Sequence, residues 1–334
     1  MAIELSKDTR LGKDAALRRY EDIRELLPDV DNPTPLVAVN NVMPSPGLEL
    51  YLKLEWLNPF GSIKDRAAAA MLAGLADRGE LQGNDLVEAS SGNTGIALAA
   101  LAALSDTKLI VTIPDGVPEE KKTLLRMLGA EIWPTPDELC PVDHPNDGAI
   151  ALARAVAASA TSPDGRRYVM PNQYENTDNV RAHYETTGPE IWRQTGGKVR
   201  CFFAGFGTCG TITGVGRYLK EQDPDIVVIA VEPQPGHRLP GMKNFEDAAE
   251  PAILDWSVVD HVIRVDDDSA YATTKRLFRE EALIVGPTTG AIVHAAAEFG
   301  ADRKGIAVGI SPDGGQKYTT YFQDLLGDEG MPQL

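Results

Sequence analysis

Short apolar runs alternate with amphipathic stretches through nearly the whole chain. Runs such as LIVTI at 109–113 and IVVIAVE at 226–232 have no polar face, the pattern of strands covered on both sides of a sheet. Strands are predicted at 50–54, 85–89, 108–113, 167–170, 199–205, 226–232, 261–265 and 305–311. Helices are predicted at 64–78, 94–104, 118–129, 146–158, 211–221, 268–281 and 290–299. This alternation defines an α/β protein with mostly parallel sheets flanked by helices. The Pro- and Asp-rich stretch 133–146 reads as a surface loop, and 233–260 as an irregular loop over a cleft. No period of 20–50 residues repeats.

At 334 residues the chain is long enough for two lobes. Hydrophobic residues make up 43% and charged residues 24%, which excludes disordered, collagen-like and small disulfide-stapled classes. The 49 acidic against 32 basic residues leave a net charge of −17. Such a surface repels nucleic acid and anionic membranes, and any anionic ligand needs a local positive site. The three cysteines, Cys140, Cys201 and Cys209, form no CxxC and no metal-ligand spacing, which fits a reducing, cytoplasmic setting. The first 27 residues are charged and helix-like, without the apolar core of a signal peptide, and no apolar run is long enough to span a bilayer.

Five loops carry candidate chemistry. In NPFGSIKDR at 58–66, Ser62 reads as a helix N-cap with Asp65 three residues on, which places Lys64 in the first turn. A cation there faces the positive end of the helix dipole. That lowers its pKa toward the neutral amine Schiff-base chemistry needs, the alternative being a solvated lysine compensated by Asp65. Ser90, Ser91, Gly92, Asn93, Thr94 and Gly95 follow a strand and open a helix. They offer hydroxyls, an amide and backbone N–H groups to a carboxylate or phosphate, beyond what capping alone requires. The loop Gly205-Phe206-Gly207-Thr208-Cys209-Gly210-Thr211 is a formal GxGxxG, with Glu232 22 residues after Gly210. A nicotinamide dinucleotide is one reading of it; the bracketing hydroxyls of Thr208 and Thr211 suit a terminal phosphate better. Gly286-Pro287-Thr288-Thr289-Gly290 and Ser311-Pro312-Asp313-Gly314-Gly315 occupy similar strand-end positions. Ligands in open α/β sheets bind at such ends, so the five loops together point at one crevice.

These motifs, in this order, resemble those of the cysteine synthase and cystathionine β-synthase family of fold-type II pyridoxal-phosphate enzymes, nearest the cysteine synthase B and O-phosphoserine-using branch. The stretches 172–174 and 187–190, and Val231-Glu232-Pro233, add to the likeness. The resemblance implies a tryptophan-synthase-β-like fold of two lobes. The smaller would be 46–165 and the larger 1–45 plus 166–334, with pyridoxal 5′-phosphate in the cleft between them. It implies that Lys64 holds the cofactor as an internal aldimine. Asn93 would meet the ring hydroxyl and Thr288 the pyridine nitrogen, and Gly207, Thr208, Cys209, Gly210 and Thr211 would cradle the phosphate. Ser91, Thr94 and Gln173 would hold the substrate carboxylate, with Ser90, Gly92 and Asn93 beside them. The reaction implied is β-replacement on O-acetyl- or O-phospho-L-serine, through an aminoacrylate, with a sulfur nucleophile giving L-cysteine. Cystathionine formation or an amine nucleophile are the neighbouring alternatives, and a nicotinamide oxidoreductase the alternative of another class. Lys243, with Arg238, stands where the branch places an arginine, and would favour an anionic substrate or sulfur donor. The family also implies a homodimer. Departures are Ser90 for threonine, Cys209 for glycine, Thr288 for serine, and a late Asp313-Gly314-Gly315-Gln316-Lys317-Tyr318 only partly matching the family's pattern.

Overall fold

The computed structural model describes residues 20–43, 47–90, 92–136 and 148–326, without the side chains of 324–326. The predicted N-terminal helix up to residue 19, Ser91, Cys140 and the part of the predicted loop from 137 to 146 lie outside the described residues.

In chain order the elements are β1 (Leu36–Ala38), β2 (Leu48–Leu54), α1 (Lys64–Asp77), β3 (Asp85–Ala89), α2 (Asn93–Ala102), β4 (Leu109–Pro114), α3 (Glu119–Met127) and β5 (Glu131–Thr135). There follow α4 (Ala149–Ser159), β6 (Tyr168–Val169), α5 (Thr177–Ala182), a π-helical turn (His183–Thr187), α6 (Gly188–Gln194), β7 (Val199–Gly205) and α7 (Gly210–Gln222). The chain continues through β8 (Val227–Pro233), β9 (His261–Val265), α8 (Asp267–Glu280), α9 (Pro287–Phe299), β10 (Gly305–Ser311) and α10 (Thr319–Leu326).

The strands form two sheets, β1-β2-β10-β7-β8-β9 and β5-β4-β3-β6, parallel except for β1 against β2. The runs without a polar face are the central strands: every residue of β3 and β4 is buried. In the smaller sheet, Leu86 and Val111 face one way against α1 and α2, while Val87 and Ile110 face the other against α4. Sheet membership departs from the boundaries expected at 46 and 165. β2 pairs along β10 in the larger sheet, and β6 pairs with β3 in the smaller one. An apolar run announces a strand, whereas its partner is set by crossovers the run does not encode.

Two further differences have local causes. Residues 131–135, partly inside the predicted loop, form edge strand β5, where Pro134 costs no ladder donor. The segment 177–194, given no element from sequence, is helical throughout. Its Gly188-Pro189 pair reads as a break, yet Pro189 lies in the first turn of α6, where no N–H is needed.

A buried charge cluster ties α1 to the larger lobe. Arg66 grips Glu55 through Nε and Nη2 (2.7 and 2.9 Å) and Glu190 through Nη1 and Nη2 (2.5 and 2.8 Å). Lys53, on β2, donates to Glu190 (2.7 Å), the Thr34 carbonyl (2.7 Å) and Gln194 (2.8 Å). Thr34 and Asn58 also donate to Glu55, at 2.7 and 2.8 Å. Burial alone would raise the Glu55 carboxyl, but Arg66 overrides it and holds it at about 2. Two cations and two anions cancel, and every one is bonded, so the cluster is tolerated out of water. Glu190→Gln leaves Lys53 and Arg66 short of charge. We expect a loss of about 3–5 kcal/mol, read from urea unfolding midpoints; a loss below about 1 kcal/mol would contradict this view of the cluster.

Candidate active site

A cavity of about 850 Å³ opens at the carboxyl ends of both sheets. Lys64, Asn93, Thr211 and Thr288 line it, each in the first turn of α1, α2, α7 or α9. Four helix N-termini therefore converge on one space, and the positive ends of their dipoles make it a positive site inside an acidic protein.

Lys64 is the first residue of α1, with Ile63 rather than Ser62 as N-cap. The Ser62 hydroxyl still accepts from the Lys64 N–H (3.2 Å). The Asp65 carboxylate reaches back past the expected cap to accept from Phe60 N (2.7 Å), which locks the turn. Burial is the main cause holding the Lys64 amine below the usual lysine range; Cys209 and Asp313 act the other way. Burial thus acts in the same direction as the helix dipole invoked from sequence.

In the 90–95 loop, Ser90 is buried, its hydroxyl accepting from Gly92 N (3.2 Å) and Gly95 N (2.9 Å). That hydroxyl shapes the loop, as a plain cap would. Asn93 donates through Nδ2 to Asp313 (2.5 Å) and accepts through Oδ1 from Lys317 (2.9 Å). A carboxylate only accepts and an ammonium only donates, so the amide can sit one way round. Tyr318 donates to the same Asp313 oxygen. Thr94 donates to Gln173 (2.6 Å), whose amide donates to the Ala89 carbonyl (2.9 Å). The turn bearing Gln173 hangs on Glu88, which accepts from Asn172 N (2.7 Å), with Asn172 in the left-handed region at φ 58°.

At the third loop, Thr208 accepts from Asn179 Nδ2 (3.1 Å), and Thr211 meets His183 Nε2 (3.2 Å). His183 Nδ1 lies 3.0 Å from Thr187 Oγ1. Burial, with Arg66 and Lys64 nearby, pushes His183 down to about 3, so the ring is neutral. Cys209 takes a left-handed conformation (φ 66°) that a glycine would take freely, and burial pushes its thiol up to about 12. A Cβ on Gly210 would lie 2.1 Å from Asn179 Oδ1, and one on Gly207 2.9 Å from the Gly241 carbonyl. The backbone is thus pared to a cradle. Thr288 faces the cavity, whereas Thr289 turns inward to Ser311 (3.0 Å).

The predicted loop over the cleft supplies part of the wall, residues 236–237, 240–244 and 246–248. Lys243 is buried in that wall, its ammonium 4.6 Å from the centroid of Tyr174. Arg238 is placed differently from expectation. It points outward, 84% exposed, 3.7 Å from Asp267. Glu232, which a dinucleotide reading needs free for a ribose, accepts from Phe245 N (3.1 Å) and pairs with Arg264 (2.8 Å). Asn179, His183, Lys121 and Glu88 were not singled out from sequence. None stands in a glycine-rich loop, and their roles come from partners distant in the chain.

The donor set fits pyridoxal 5′-phosphate: a desolvated amine for its aldehyde, a hydroxyl-rich cradle on a 13-residue helix for its phosphate, and hydroxyl and amide groups for its ring. Fold and site together define a two-lobed pyridoxal-phosphate enzyme. Residues 27–310 match the family model described as pyridoxal-phosphate dependent enzyme. The chain is 37% identical to cysteine synthase B of Salmonella typhimurium over 90% of its length and 95% of the relative's. It is 36% identical to cystathionine beta-synthase of Apis mellifera, over 90% of this chain and 62% of that one. Among solved structures, O-ureido-L-serine synthase superposes with a TM-score of 0.81 at 29% identity, covering 95% of this chain and 98% of that one. A hydrogen sulfide-producing enzyme from Fusobacterium nucleatum gives 0.79 at 32%, covering 90% and 100%. The chain belongs to the pyridoxal-phosphate dependent enzyme family, in its cysteine synthase and cystathionine β-synthase group, and pyridoxal 5′-phosphate is its cofactor.

Two outcomes follow from the geometry. Gly210→Ala displaces Asn179, and cofactor affinity, measured by fluorescence titration of the cofactor-free protein, should fall at least about tenfold; unchanged affinity would refute the cradle. Burial raises the Glu88 carboxyl from 4.5 to about 8, its hydrogen bonds opposing that rise. Its contribution to stability is full below pH 4.5 and is lost as pH rises through about 8. Between those limits the loss runs at up to about 1.4 kcal/mol for each step of one in pH. Glu88→Gln should flatten that decline in a pH series of thermal melts.

Proposed function

We propose that this protein forms L-cysteine by replacing the β substituent of an activated L-serine with a sulfur nucleophile. The observation that carries the reading is the convergence on one cavity of the Lys64 amine, the linked Thr94 and Gln173, and the Gly207–Thr211 cradle. The cysteine synthase relatives at 37% identity support the same chemistry.

The cofactor, when bound, supplies an electron sink for the charge left at Cα. Lys64 would hold it covalently, Gly207, Thr208, Cys209, Gly210 and Thr211 would hold its phosphate, Asn93 its ring hydroxyl, and Thr288 its ring nitrogen. Thr288 offers a neutral hydroxyl there, which does not protonate the ring as a carboxylate partner would. That limits delocalisation of charge and favours loss of the β group over transamination. Thr94 and Gln173, with Ser91 and the Gly92 and Asn93 backbone, would hold the substrate carboxylate. Ser90 would shape that loop from behind.

Lys64, released by the incoming amino group, removes the Cα proton. The Cβ–O bond breaks and acetate or phosphate leaves. The sulfur nucleophile forms the Cβ–S bond, and Lys64 returns the proton to Cα. Lys243 faces the cavity from the opposite sequence half and would draw in an anionic leaving group or sulfur donor, as a point charge without bidentate geometry. The same reading has the enzyme working as a homodimer in the cytoplasm; Cys201 and Cys209 are buried free thiols, in keeping with a reducing compartment. No described helix is long and apolar enough to cross a membrane.

The test is product formation. Holoenzyme given sulfide and either O-acetyl-L-serine or O-phospho-L-serine should yield L-cysteine, and Lys64→Ala should lose at least about 10³-fold in kcat. A holoenzyme that makes no cysteine from either donor would sink the reading. Lys243→Ala should raise the KM for O-phospho-L-serine more than for O-acetyl-L-serine; equal KM changes would remove Lys243 from leaving-group recognition.

A further inference from the structure

Lys121 lies in the first turn of α3, inside the charged run Glu119-Glu120-Lys121-Lys122. Such a run reads as a solvated face. The structure instead buries Lys121 to 8% exposure and places it in the wall of the active-site cavity. Its ammonium stands 4.7 Å from the centroid of Tyr318 and 5.9 Å from that of Tyr321. Among the described residues it has no hydrogen-bond acceptor and no carboxylate at ion-pair distance; Asp313, the nearest acid in effect, is bonded to Asn93 and Tyr318. Its neighbour Lys122, by contrast, donates to the Asp115 carbonyl (2.8 Å) and pairs with Glu119 (3.3 Å). The two rings offset part of the cost of drawing this cation out of bulk water, and with no carboxylate at ion-pair distance an anionic ligand in the cavity would offset the rest. A position in the first turn of a helix adds to that cost.

The position of the ammonium says which anion completes it. A Cβ built on Gly92 would lie 3.4 Å from Lys121 Cδ and 3.6 Å from its Nζ. The ammonium therefore sits against Gly92, the N-cap of α2, in the cavity that Thr94 and Gln173 also line. Resting on the assignment of that loop to the amino-acid substrate, we propose that Lys121 is a specificity-determining residue that supplies the full positive charge for the substrate's α-carboxylate. Hydroxyls and backbone N–H groups orient the carboxylate, and Lys121 selects for its charge. The flexible ammonium reaches it without the fixed fork an arginine would impose.

The experiment titrates wild type, Lys121→Gln and Lys121→Arg holoenzymes with L-serine and with L-serinamide, whose carboxylate is replaced by a neutral amide. The readout is the change in the cofactor's visible absorbance. Lys121→Gln should raise the L-serine concentration for half-maximal change by about tenfold or more, leave the L-serinamide response unmoved, and raise KM far more than it lowers kcat. Lys121→Arg should recover most of the L-serine affinity. Lys121→Gln should also melt no lower than wild type, because it removes a buried charge. An unchanged L-serine response overturns the proposal, as does equal weakening of both ligands. A KM increase confined to O-phospho-L-serine, with L-serine binding intact, also overturns it and places Lys121 at the leaving group. L-serine binding reports on Lys121 whether or not cysteine is made, so failure here is distinguishable from failure of the cysteine-forming reading.

Discussion

The site depends on one buried, electrically balanced cluster: Arg66 held between Glu55 and Glu190, with Lys53 completing the charge. Arg66 lies two residues after Lys64 on α1, the helix that also packs against α2 and α5. Its double fork fixes the start of α1 against Glu55, just past the end of β2, and Glu190 on α6. The lysine amine is therefore placed by contacts on the far side of its own helix from the ligand. Such bonds are directional, and removing one partner strands the rest. An apolar contact would hold the helix as firmly but set its rotation and register less narrowly.

That placement matters because the chemistry needs opposites at short range. The chain is strongly acidic, yet the cavity has to take a phosphate and a carboxylate. The answer is local. Four helices begin at the cavity, and the positive ends of their dipoles supply potential that the −17 surface does not cancel nearby. The same potential, with burial, favours the neutral form of Lys64. Side-chain hydrogen bonds do the fine positioning: Asn179 under Thr208, uncharged His183 under Thr211, and the charged Asp313 and Lys317 setting the one orientation of Asn93.

The sequence made the chemical loops legible because each is a local object: a strand end, a few glycines and hydroxyls, and a helix start. Lys64, Asn93, Thr94, the 207–211 loop and Thr288 come together at one cavity for that reason. Gln173 joins them through a turn whose anchor, Glu88, is 84 residues away in the chain. What stayed hidden is long-range. Arg66 and Glu190 are 124 residues apart, and neither announces the other. Lys121 sits in a run of charges whose simplest reading is solvent. Arg238 and Lys243 share one loop, yet one faces water and the other the cavity, because loop backbone has no period from which to read a face. The same limit assigned β2 and β6 to the wrong sheets while finding both as strands.

The fold, on the proposed function, selects one amine to hold the cofactor. Lys64, Lys121 and Lys243 all line the cavity, but only Lys64 opens the helix clamped by Arg66. The most direct measurement is borohydride trapping of the cofactor-loaded protein, followed by peptide mapping by mass spectrometry. A stoichiometric cofactor adduct on Lys64 alone is expected. An adduct on Lys121 or Lys243, or one spread among the three, would contradict it.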